Sequence, residues 1–90
     1  MAKKIEKRAT NELKSHSLAV LNEVGNIFRN HKKNYEALDY YKKALMVGKQ
    51  LHRGNSALTL SIGMVVLNIG AVYFLLRRYE EALRYYSHAL

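Results

Sequence analysis

The chain has 90 residues and a net charge of +8, enough for one small domain with a marginal core. It has no cysteine, which excludes disulfides and thiolate metal sites, and no proline and only five glycines, which favours long uninterrupted helices. The apolar fraction of 49% is ordinary for a globular protein and argues against a disordered chain.

Lys3, Lys4, Lys7 and Arg8 crowd the first nine residues, and residues 1–9 read as a solvated, frayed terminus. That stretch lacks the apolar core of a secretory signal, and Ala2 stands where myristoylation needs glycine. The expected compartment is the cytoplasm. Thr10 can cap a first helix, with Glu12 in the turn where the helix dipole favours an acid. Leu13, Leu18, Leu21, Val24, Ile27 and Phe28 then recur at helical spacing as far as Asn30. The polar run Asn30-His31-Lys32-Lys33-Asn34 is a turn, with Asn34 as the cap of the next helix.

The second predicted helix places Ala37, Leu38, Tyr41, Ala44, Leu45 and Val47 on one side and Asp39, Lys42 and Lys43 opposite, and ends near His52. Arg53-Gly54-Asn55-Ser56 supplies a stop and a new start. A third segment, Ala57 to Leu76, carries no charge, and a fourth runs from Tyr79 to Leu90 after the short Arg77-Arg78 join. No segment shows sustained period-two alternation, so the expected class is all-α without strands.

The fourth segment repeats the second. Glu36 to Leu45 and Glu81 to Leu90 share seven of ten residues in the pattern Glu-Ala-Leu-x-Tyr-Tyr-x-x-Ala-Leu. The same offset of forty-five aligns Leu21 with Val66, Val24 with Ile69, Gly25 with Gly70 and Phe28 with Tyr73. A fixed period of this size marks stacked structural repeats. The expected architecture is two antiparallel helical hairpins within one domain, over residues 10–52 and 56–90.

Together these residues resemble the tetratricopeptide repeat family, over about Leu21 to Leu45 and Val66 to Leu90. The resemblance implies a right-handed solenoid fragment. It gives Gly25 and Gly70 the role of small residues in the first helix of each hairpin, and Phe28 and Tyr73 that of aromatics one turn later. Ala37 with Ala44 and Ala82 with Ala89 allow close packing, with Tyr41 and Tyr86 as wedges between them, and Leu45 and Leu90 close the hairpin base. The period is about eleven residues longer than the usual 34. That is close to three helical turns and leaves the buried faces in register. Long repeats of this kind resemble those of kinesin light chains, Pins-type spindle adaptors and bacterial peptide-sensing regulators, all of which bind proteins or peptides.

In the family the first helix of each hairpin lines a concave surface. The resemblance places Asn22, Asn26, Arg29 and Asn30, with Glu23, on that surface from the first hairpin. From the second it places Met64, Leu67, Asn68, Ala71, Phe74 and Leu75 there. Asparagine amides can serve an extended peptide backbone, and Arg29 can pair with a carboxylate. Asn26 and Asn68 stand where chaperone-type repeats hold a C-terminal carboxylate. The lysine expected one turn before Asn26 is Asn22, so such a clamp ranks below generic peptide contact. The bland reading of these asparagines, solvated or capping internal carbonyls, weighs most.

Leu67, Phe74 and Leu75 on a wet surface imply an interface, so the chain is expected to self-associate or to belong to a longer array. The functional expectation is a non-catalytic scaffold for a protein or peptide partner, with no cofactor and no metal. Two alternatives rank lower. Gly54 to Leu76 is uncharged and long enough to span a bilayer, although its register with the charged first helix marks it as a packed helix. Binding of nucleic acid would draw on the positive charge, but that charge is not gathered into a stripe.

Overall fold

Four helices follow one another in the computed structural model, which describes the backbone of residues 2–51 and 56–89 and the side chains of residues 16–51 and 59–89. They are α1 (Ala2–Asn30), α2 (Asn34–Leu51), α3 (Ser56–Leu75) and α4 (Tyr79–Ala89), and no strand occurs among the described residues. Helix α1 pairs with α2, α3 pairs with α4, and the two hairpins meet chiefly through α2 and α3. This is the all-α, hairpin-on-hairpin arrangement expected from the repeat.

Helix α1 starts at Ala2, so Thr10 lies inside the helix and is not its cap. The reason is local: Ala2 to Ala9 holds strong helix formers and no breaker. The expected stop at Arg53-Gly54-Asn55 and the hairpin-closing Leu90 lie outside the described residues.

The two intrahairpin turns are copies of each other. Lys33 N donates to Phe28 O at 2.9 Å and Lys32 N to Arg29 O at 2.9 Å; forty-five residues on, Arg78 N donates to Tyr73 O at 2.8 Å and Arg77 N to Phe74 O at 3.0 Å. This six-to-one and five-to-two pattern is the Schellman ending of a helix. It requires a left-handed residue, and Lys32 (φ 60°) and Arg77 (φ 62°) occupy that position in place of the usual glycine. The next helix begins at once. Lys33 O accepts from Ala37 N, and Arg78 O accepts from Ala82 N. The cap of α2 is therefore Lys33, and Asn34, expected there, is the first helical residue. At the start of α4, Arg78 Nε pairs with Glu81, three residues on.

A side chain with a Cβ is strained at a left-handed position by about 1–2 kcal/mol. Glycine removes that strain but adds entropy to the unfolded chain, worth about 0.4–1 kcal/mol. Arg77→Gly is expected to stabilise the fold by a net of about 0.5–1 kcal/mol, read as a higher melting temperature by circular dichroism.

The core runs through both hairpins. Tyr41, Val65, Ile69 and Val72 are fully buried, joined by Leu18, Leu38, Ala37, Ala44, Tyr73 and Ala82. Each large apolar side chain so buried contributes roughly 1.5–3 kcal/mol. Close approach within each hairpin depends on a missing side chain. A Cβ on Gly25 would lie 2.5 Å from Tyr41 Cε1, and one on Gly70 would lie 2.7 Å from Tyr86 Cε1. Around them Phe28 stacks on Tyr40 with centroids 5.3 Å apart, and Tyr73 on Tyr85 at 5.5 Å. Both pairs obey the forty-five-residue offset, so the duplication is one of contacts as well as of letters.

The hairpins join where α3 lies on α2. A Cβ on Gly48 would meet Ile62 Cγ1 at 2.7 Å and Leu18 Cδ1 at 3.1 Å, so three helices converge there. Lys42 Nζ sits 5.5 Å from the Tyr73 ring centroid, and its contact with the Tyr73 hydroxyl holds the ammonium pKa above its ordinary value.

Candidate protein-binding surface

Asn22, Asn26 and Arg29 are spaced by four and three residues, which puts them on one stripe of α1. Leu60, Met64, Leu67, Ala71 and Phe74 alternate four and three in the same way along α3, with Asn68 and Leu75 beside them. The fold sets the two stripes next to each other. Asn68 Nδ2 donates to Asn22 Oδ1 at 2.9 Å, and an Arg29 guanidinium nitrogen donates to Asn68 Oδ1 at 3.4 Å. Asn68 therefore ties the two hairpins together across a distance of forty-six positions in the chain.

Tyr41, a fully buried wedge in α2, sends its hydroxyl out to the same group. It donates to Asn26 Oδ1, and Asn26 Nδ2 donates in turn to Glu23 Oε1 at 3.4 Å. The Arg29 guanidinium carbon stands 5.9 Å from the Tyr41 ring centroid, within the range of a cation–π contact. A buried tyrosine needs a partner for its hydroxyl. Asn26 reaches it because Gly25, the preceding residue, leaves the Tyr41 ring room against α1.

These contacts correct the bland reading of the asparagines. Asn22, Asn26 and Asn68 are half-buried and bond to other side chains; they are neither fully solvated nor caps of carbonyls. Of the remaining expected residues, Asn30 is exposed at the end of α1 and Ala71 is half-buried. Leu67 and Phe74 are 44% and 55% exposed, with Met64 and Leu75 similarly open. Phe74 meets Tyr79 edge-on at 5.4 Å. The surface is thus polar where α1 supplies it and apolar where α3 does. Position for position, Ala71 stands where the first repeat has Asn26, so the Tyr41 arrangement has no copy in the second hairpin.

Sequence reasoning named every member of this group except the Tyr41 hydroxyl, which it treated as packing alone. The signal was present: an asparagine directly after the glycine that admits the wedge.

Burial raises the Tyr41 phenol pKa above its ordinary value, opposed by the Arg29 charge and assisted by that of Glu23. The folded state therefore prefers the neutral phenol. That contribution is complete below pH 10 and is lost as the pH rises through the raised value. Tyr41→Phe is expected to flatten the alkaline fall in stability and to cost about 0.5–1.5 kcal/mol at neutral pH for the lost bond to Asn26, both measurable by urea denaturation across pH.

Among the described residues no helix is long and apolar enough to cross a membrane. In place of a bilayer-spanning face, α3 buries Val65, Ile69, Val72 and Tyr73 within the core. The expected span over residues 54–76 lies in part outside the described residues.

Residues 66–90 match the tetratricopeptide repeat family. No curated protein and no solved structure matches the chain. The matched stretch holds Gly70, Tyr73, Ala82 and Tyr86, and their contacts recur in the first hairpin at Gly25, Phe28, Ala37 and Tyr41. The chain is a tetratricopeptide-like helical repeat protein.

Proposed function

We propose that the chain is a non-catalytic scaffold that binds a protein or peptide partner across α1 and α3. The observation that carries this reading is the Asn22–Asn68–Arg29 relay set beside the exposed Leu67 and Phe74. The relay holds Arg29 beside these side chains, where its remaining donors can serve an acidic group or a peptide carbonyl. Leu67 and Phe74 offer apolar anchorage beside it. Polar groups that fix register next to apolar groups that supply affinity are what an extended peptide or an amphipathic helix requires. Leu83 on α4 and Val20 and Ile27 on α1 are exposed as well, and these apolar side chains support self-association.

A peptide selected by the chain from a display library tests this surface. Arg29→Ala and Phe74→Ala are each expected to weaken that peptide tenfold or more in a calorimetric titration, with helicity unchanged. Asn68→Ala, which releases both Asn22 and Arg29, is expected to weaken it to a similar degree. Affinity unchanged in all three variants would remove α1 and α3 as the binding surface.

A further inference from the structure

The repeat makes its two ends complementary. Within the chain, α3 packs on α2, and both helices give buried residues to one core cluster: Val65, Ile69 and Val72 from α3, Leu38, Tyr41 and Ala44 from α2. Shifting each by forty-five residues gives its equivalent on a free face. Val65 becomes Val20, which is 45% exposed, and Val72 becomes Ile27, which is 55% exposed. Ile69 becomes the half-buried Val24. On the other side Leu38, 8% exposed, becomes Leu83, 67% exposed, while Tyr41 and Ala44 become the half-buried Tyr86 and Ala89.

The two open faces therefore reproduce the two sets of buried residues. One is the Val20–Val24–Ile27 stripe of α1, chemically like the Val65–Ile69–Val72 stripe of α3. The other is the Leu83–Tyr86–Ala89 stripe of α4, like the Leu38–Tyr41–Ala44 stripe of α2. We infer that a second copy of this chain stacks head to tail, with its α1 stripe seated on α4 of the first. The inference rests on the self-association proposed above and specifies its geometry. The contact joins unlike faces, so a dimer keeps one free stripe at each end and association continues. Each copy carries a net charge of +8, so the stacks lengthen when salt screens the repulsion between them.

Two substitutions at exposed positions test this. Ile27→Glu removes the α1 stripe and Leu83→Glu removes the α4 seat. Circular dichroism should show both folded, because neither side chain is in the core. In sedimentation at moderate salt, the wild type is expected to show a mass that rises with concentration beyond that of a dimer. Each variant alone is expected to stay at the single-chain mass of 10.4 kDa. Mixed in equal amounts, the variants are expected to form a complex of twice that mass, because each supplies the face the other lacks. A symmetric contact between like faces would show no such rescue and would overturn the head-to-tail geometry while leaving self-association standing. A wild type at single-chain mass over the whole concentration range would overturn self-association itself and leave the open faces to a foreign partner.

Discussion

Gly25→Ala is expected to destabilise the fold by about 1–3 kcal/mol, the usual cost of forcing an extra carbon into a packed site. The new Cβ would lie 2.5 Å and 2.6 Å from two ring carbons of Tyr41. That ring cannot withdraw, since Tyr41 is fully buried and its hydroxyl is held by Asn26. The hairpin must therefore open, and the Asn26 bond is lost with it. Gly70→Ala should act in the same direction but less strongly, because Tyr86 is only half-buried and has more room to shift. Gly63→Ala is the control. Nothing lies within 4 Å of a Cβ there, and alanine is the better helix former by about 1 kcal/mol. Thermal denaturation of the three variants should show the first two melting earlier than wild type and the third later. Equal shifts in all three would mean that helix propensity, and not the tyrosine wedge, decides the role of these glycines.

Leu38→Ala and Leu83→Ala give the second large contrast. The two leucines are the same residue in the two copies of the repeat, but one is 8% exposed and the other 67%. Truncating the buried leucine is expected to cost about 2–5 kcal/mol, in the range of core leucine-to-alanine changes. Truncating the exposed one in dilute solution is expected to change stability by less than about 0.5 kcal/mol. Urea denaturation at low protein concentration measures both. Repeating the Leu83→Ala measurement at high concentration adds a further reading. If a second copy covers this position, wild-type stability rises with concentration by mass action and the variant's does not.

Much of the fold could be read from the chain because the duplication aligned two sets of residues that had to do the same work. The offset of forty-five paired Gly25 with Gly70 and Phe28 with Tyr73, and the structure repeats their contacts on the same offset. Both intrahairpin turns were legible as the polar run 30–34 and the Arg77-Arg78 join, but the start of α1 and the backbone conformation inside the turns were not. The Schellman turns place Lys32 and Arg77 at left-handed positions where local rules expect glycine or asparagine, so no local signal marked that conformation. The helix formers before Thr10 were visible but did not by themselves mark a helix, since termini are often frayed whatever their composition.

The candidate surface divides along the same line. The identities of Asn22, Asn26, Arg29 and Asn68 and their helical spacing were visible in the letters, and so was the apolar stripe of α3. Their pairing was not. Asn22 and Asn68 are forty-six positions apart, and they meet only because α3 returns alongside α1 after α2 has turned the chain back.

The sequence by itself determined the class of element and the pairing of helices into hairpins, because period and turn polarity are set by neighbours in the chain or by repetition at a fixed offset. Only the tertiary structure decided which of two equivalent residues is covered. Leu38 and Leu83, or Val72 and Ile27, are interchangeable in any local account. Their difference comes from what lies against them, and that depends on where each hairpin stands in the stack.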